Sequence, residues 1–166
     1  IKHYKRAVIN VRDFPEQLKL VVFGGAGCGK SHVIHLIAQY VEFYMRGSGD
    51  NLDHPYIVRC AMSGTASSNI DGQTLHSTFN LDFGATFVSM GDKTKDKKRE
   101  ILKNMMILII DEFSMVGSDD LYIIHIRLQE IKEVYDKPFG GQDDECNQMW
   151  MDFKPVMLKT NHRQGD

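Results

Sequence analysis

The spacing of apolar and polar positions changes several times along the chain, and each change marks an element. Residues 18 to 23, LKLVVF, make an apolar run of the length of a buried strand. From 30 to 45 the period becomes helical, with Val33, Ile34, Ile37, Val41 and Met45 on one face. A polar loop, RGSGDNLDHP, leads to a second strand near 56 to 61, and the turn-rich GTASSNIDGQTLHSTF after it predicts short helical pieces. The lysine-rich GDKTKDKKRE opens a helix, and MMILII, 105 to 110, is the strongest buried strand. Residues 118 to 135 then carry Leu121, Ile124, Leu128, Ile131 and Tyr135 at helical spacing. Strands alternating with helices predict an α/β fold, a mostly parallel sheet with helices on both faces, whose sites gather at the C-terminal strand ends. No internal repeat or low-complexity tract breaks the pattern.

Composition narrows the function classes. The 166 residues suit a single domain, 1–166, able to bury a real core. No apolar run approaches the roughly 20 residues of a membrane span, and the N-terminus IKHYKRAVINVRDF lacks the apolar core of a signal peptide. An intracellular protein with no membrane partner is expected: cytoplasmic, or nuclear or mitochondrial in a eukaryote. Cys28, Cys60 and Cys146 form no CxxC pair and are odd in number, which fits a reducing compartment. The net charge of −2 restricts any nucleic-acid contact to a local patch. Lys93, Lys95, Lys97, Lys98 and Arg99, diluted by Asp92, Asp96 and Glu100, read first as a solvated surface.

Chemistry enters at residues 24 to 31, GGAGCGKS, which satisfy G-x-x-x-x-G-K-[ST] between the first strand and the first helix. In that geometry the loop Gly24, Gly25, Ala26, Gly27, Cys28 and Gly29 aims backbone N–H groups at a phosphate chain. Lys30 reaches the β and γ phosphates, and the Ser31 hydroxyl holds Mg²⁺. Cys28 reads as a small residue in the place of Thr or Ser rather than as a redox sensor. A magnesium ion needs a second hard oxygen ligand, and Asp111 at the end of MMILII is placed to be that carboxylate. Glu112 beside it can orient and deprotonate water, which favours hydrolysis over transfer. ATP and Mg²⁺ are the expected ligands.

Taken together, the blocks resemble the first RecA-like domain, a P-loop NTPase fold, of Pif-type (petite-integration-frequency) superfamily 1 DNA helicases. SGTASSNIDGQTLHSTF, 63 to 79, resembles the family's T-G-x-A-A-x-x-I-x-G-x-T-L-H-S-x-F, with Ser63 and Ser67 departing from it. LIIDEFSMV, KPFGG and LKTNHRQGD resemble further family segments in order. The resemblance implies an ATP-driven motor that translocates on single-stranded DNA. It implies that Ser63, Gly64, Thr65, Thr74, His76, Ser77 and Phe79 contact DNA, and that Arg163 reaches the γ-phosphate as a catalytic group beside Lys30 and Glu112. Without the resemblance, His76 and Phe79 would more often be packing residues.

Two departures stand out. The family's G-D-x-x-Q-L-P-P segment is missing after PFGG, with Gln142 as its one possible remnant, so residues 141–144 are expected to flank absent material. A second RecA-like domain is also expected beyond what the chain holds, the whole acting as a monomer. The competing readings are a nucleotide-dependent DNA-binding module without turnover, and a small P-loop kinase, for which no lid or acceptor pocket is legible.

Overall fold

The computed structural model describes residues 20–81, 87–136, 138–140 and 154–158. Arg163, Cys146 and the junction at 141–144 lie outside the described residues. The elements run β1 (Leu20–Phe23), α1 (Lys30–Met45), β2 (Ile57–Ala61), α2 (Gly64–Asn69), β3 (Gln73–Thr74) and α3 (Leu75–Phe79). They continue as α4 (Asp92–Leu102), β4 (Ile107–Asp111), α5 (Ser118–Lys132) and β5 (Lys154–Met157), with single 3-10 turns at Phe113–Met115 and Pro138–Gly140.

Among the described residues every strand pairing is parallel. The strands form two sheets, β1–β5 and β3–β2–β4, which among the described residues share no hydrogen-bonded pair. Strand alternation sends side chains of β2 and β4 to opposite faces. Ile57, Ile107 and Ile109 meet Ala38 and Val41 of α1, while Val58, Cys60, Leu108 and Ile110 join Phe79, Leu102, Leu121, Ile124, Leu128 and Ile131. Helices therefore cover both faces of this sheet, as the alternating pattern predicts.

The structure corrects three details. MMILII is not a fully buried strand: β4 begins at Ile107 and is half-buried along its length. The helix predicted to reach 135 stops at Lys132, where Glu133 turns left-handed at φ 57°, and Tyr135 is exposed. The short β3 and the exposed β5 escaped the pattern, because β3 is two residues long and the apolar stretch of β5 is short and opens on a proline.

The corner between α2 and β3 depends on one glycine. A Cβ on Gly72 would lie 2.3 Å from the Arg59 carbonyl oxygen, which β2 holds in place. Its own N–H donates to Ser67 O at 2.8 Å. Gly72→Ala is expected to cost about 2–3 kcal/mol, lowering Tm by about 4–12 °C. An unchanged Tm in thermal unfolding would refute this packing.

Candidate nucleotide-binding site

β1 ends at Phe23, and the chain then turns through a loop that needs glycine at two positions. Gly27 and Gly29 hold φ of 82° and 81°, a region that side chains disfavour. Gly24 is tight for a different reason, since a Cβ there would sit 3.2 Å from the Cβ atoms of Cys28 and Leu158. α1 starts at Lys30 with Gly29 as its N-cap, and no side chain caps its first amides. Those amides and the positive end of the helix dipole are thus available to an anion.

A cavity of about 350 Å³ opens at this point. It is lined by Ala26, Gly27, Gly29, Lys30, Ser31 and His32 from the loop and α1, by Ala66 and Asn69 from α2, and by Asp111 and Glu112 from the end of β4. Both sheets thus deliver their C-terminal strand ends to one space. Lys30 Nζ donates to the carbonyls of Gly24 at 2.8 Å and Gly25 at 3.0 Å, which holds its charge over the loop. Ser31 and Asp111 bring a hydroxyl and a carboxylate to the same cavity. That pair fits Mg²⁺, a hard cation that takes a few protein oxygens and completes its shell with water and phosphate. Gly24, Gly25 and Cys28 support the loop without lining the cavity.

Glu112 is held in an unusual conformation. Its φ of 52° and ψ of 40° are left-handed, and its carbonyl accepts from Met115 N at 2.9 Å as the 3-10 turn begins. Its carboxylate faces α2, where Ser63 Oγ donates to Oε2 at 3.5 Å. Ser63 is also the N-cap of α2, accepting from Ala66 N at 3.1 Å.

The second segment expected to touch DNA is divided by the structure. Gly64, Thr65 and Ser77 are exposed, and Ser63, Thr74 and His76 are half-buried. Thr74 Oγ1 caps α3 by accepting from Ser77 N at 3.2 Å. Phe79 is 0% exposed in the main core, so its ring packs rather than offering a stacking surface. The basic run turns out to be α4, and Lys98 donates to Ser77 O at 2.6 Å. Burial pushes the Lys98 ammonium below its ordinary pKa. Cys60 beneath is pushed up to about 11 by burial, so it stays a thiol that fills space.

Three cavity residues were not anticipated: His32, Ala66 and Asn69. The rule that sites gather at C-terminal strand ends could have found the last two, because α2 follows directly on β2.

Comparison with known proteins agrees with this geometry. The sequence profile described as PIF1-like helicase matches residues 3–164. The chain is 32% identical over 148 residues to an ATP-dependent DNA helicase PIF1 from Emericella nidulans, covering 84% of this chain and 18% of that protein. It is 30% identical over 114 residues to an ATP-dependent DNA helicase Pif1 from Campylobacter jejuni, covering 64% of this chain and 24% of that protein. Among solved structures, Bacteroides Pif1 bound to single-stranded DNA superposes with a TM-score of 0.68 at 25% identity, covering 99% of this chain and 43% of that one. Bacteroides Pif1 with ADP-AlF3 and single-stranded DNA gives 0.65 at 26% identity, with coverage of 99% and 43%. The chain therefore spans less than a quarter of the helicases it matches by sequence and less than half of these solved chains. With its profile match across nearly the whole length and its RecA-like fold, the chain belongs to the PIF1-like helicase family.

Proposed function

We propose that this chain is the ATP-binding half of a DNA helicase motor, which couples ATP hydrolysis to movement along single-stranded DNA. The observation that carries the reading is the convergence of Lys30, Ser31, Asp111 and Glu112 on one cavity from two separate strand ends. The loop amides and α1 bind the phosphates, Lys30 neutralises the β and γ oxygens, and Glu112 orients water and accepts its proton. Ser31 and Asp111 would hold Mg²⁺, which when bound offsets the negative charge of the phosphates. Ser63, Gly64, Thr65, Thr74, His76 and Ser77 form the face offered to DNA, with phosphate contacts from hydroxyls and backbone amides. Arg163 is assigned to the γ-phosphate on the family match alone. The two-domain motor acts as a monomer within the cell, the second RecA-like domain closing over the nucleotide.

The 166 residues by themselves are expected to bind ATP–Mg²⁺ yet neither unwind duplex nor turn over quickly. Charge brought across a domain interface is worth roughly 10³ to 10⁵ in such reactions. Gripping a strand alternately also requires two domains that open and close. Strand displacement and steady-state ATPase, each with and without single-stranded DNA, test this. ATP-dependent unwinding by the purified 166-residue chain would show the two-domain argument to be wrong. No nucleotide binding at all would overturn the motor assignment.

A further inference from the structure

We propose that Ser63 is a latch on Glu112, and that single-stranded DNA engaging the start of α2 opens it. The proposal rests on the motor reading above. β2 and β4 are direct neighbours with Ala61 beside Asp111, which brings together the second residue past Ala61 and the first past Asp111. Those residues are Ser63 and Glu112. The Ser63 hydroxyl accepts from Ala66 N at 3.1 Å and donates its single proton to Glu112 Oε2 at 3.5 Å. A carboxylate oxygen engaged in this way is turned toward α2 and its position is taken, so a water molecule cannot be oriented there.

The bond is long, hence weak, which suits a contact that another acceptor can displace. A DNA phosphate oxygen is such an acceptor. The surroundings confine the motion to the first turn of α2. At its far end, His35 Nε2 lies 3.2 Å from Asn69 O and Nδ1 lies 3.5 Å from Asp71 Oδ2, joining the corner to α1. Ile70 is fully buried, and Gly72 is pressed on the Arg59 carbonyl. At the near end, Gly64 and Thr65 are exposed, and a Cβ built on Gly64 would meet nothing within 4 Å. DNA drawn to this turn therefore takes the hydroxyl from Glu112 and frees the carboxylate for water. Ser63 is a positioning residue, and it makes hydrolysis answer to DNA.

The test uses the 166-residue chain, oligothymidine, and single-turnover ATP hydrolysis at protein excess, which reads slow rates. Ser63→Gly removes the hydroxyl, while glycine is nearly as good an N-cap as serine. It is expected to hydrolyse ATP about 2- to 10-fold faster than the parent without DNA and to gain little from oligothymidine. Ser63→Thr keeps donor and acceptor and is expected to retain stimulation by DNA. A Ser63→Gly protein with the parent's rates in both conditions overturns the latch, because capping alone predicts that result. A second arm needs no turnover. Glu112→Ala removes both acceptor oxygens, whereas Glu112→Gln keeps one carbonyl acceptor while exchanging the other oxygen for an NH2 donor; both lose the charge. Fluorescence anisotropy is expected to show oligothymidine bound about 2- to 10-fold more tightly by Glu112→Ala than by Glu112→Gln. Equal affinities overturn the latch and leave the motor reading intact. A parent that binds no oligothymidine overturns the DNA reading, and the latch falls with it.

Discussion

Lys30→Ala is expected to weaken ATP binding by about 100-fold or more. Among the described residues Lys30 is the one lysine or arginine lining the cavity, with Ala26, Gly27, Gly29, Ser31 and Ala66 around it uncharged. Hydrogen bonds to charged groups contribute about 1.5–3 kcal/mol each, and an ammonium bridging two phosphate oxygens makes two of them. Two such bonds lost correspond to at least two decades of affinity. The substitution does not empty the core, since Lys30 is half-buried and its bonds run to two loop carbonyls. Isothermal calorimetry of the variant, with circular dichroism to confirm the fold, is the measurement. An affinity equal to the parent's would sink the nucleotide assignment.

Glu112→Gln is expected to slow hydrolysis by about 10²- to 10⁴-fold, the range for a lost general base. ATP affinity should remain within about threefold of the parent, because uniform binding is untouched when only a transition-state role is removed. Asp111 stays where it was, on the paired end of β4 beside Ala61, so the metal ligand is retained. Single-turnover hydrolysis beside an equilibrium binding measurement separates the two effects. Retention of the parent's rate would show that another group takes the proton.

Much of the candidate site is legible in the sequence, and the reason lies in the kind of information each element carries. The phosphate loop is local: Gly27 and Gly29 must be glycine for their own backbone angles, and Lys30 and Ser31 follow them in sequence. The helix at 30 to 45 was legible to the residue for the same reason, its apolar spacing being continuous. Asp111 and Glu112 are legible as candidates because a strand end announces itself where an apolar run meets two acids, and both line the cavity. Phe79 is where the resemblance misleads, because the residue type by itself favours packing. Its neighbours Thr74 and Ser77 are polar, yet the ring turns inward to meet Leu75 and the α5 residues, a choice made by tertiary packing. The contact from Ser63 to Glu112 spans 49 residues and depends on β2 pairing with β4, a register that no local pattern encodes. The division into two sheets was equally hidden, because hydrophobic periodicity says which residues make strands and not which strands meet.

The left-handed backbone at Glu112 sets two kinds of selection against each other. An ordinary side chain in that region carries a strain of about 1–2 kcal/mol, which glycine escapes and asparagine lessens. Either replacement would relax the turn between β4 and the 3-10 segment and discard the carboxylate in the same step. Variants chosen only for thermal endurance should therefore drift from glutamate at 112, while variants chosen for turnover should return to it. In a lineage where the motor had fallen idle, this position would be among the first to record the loss, because there decay makes the fold more comfortable.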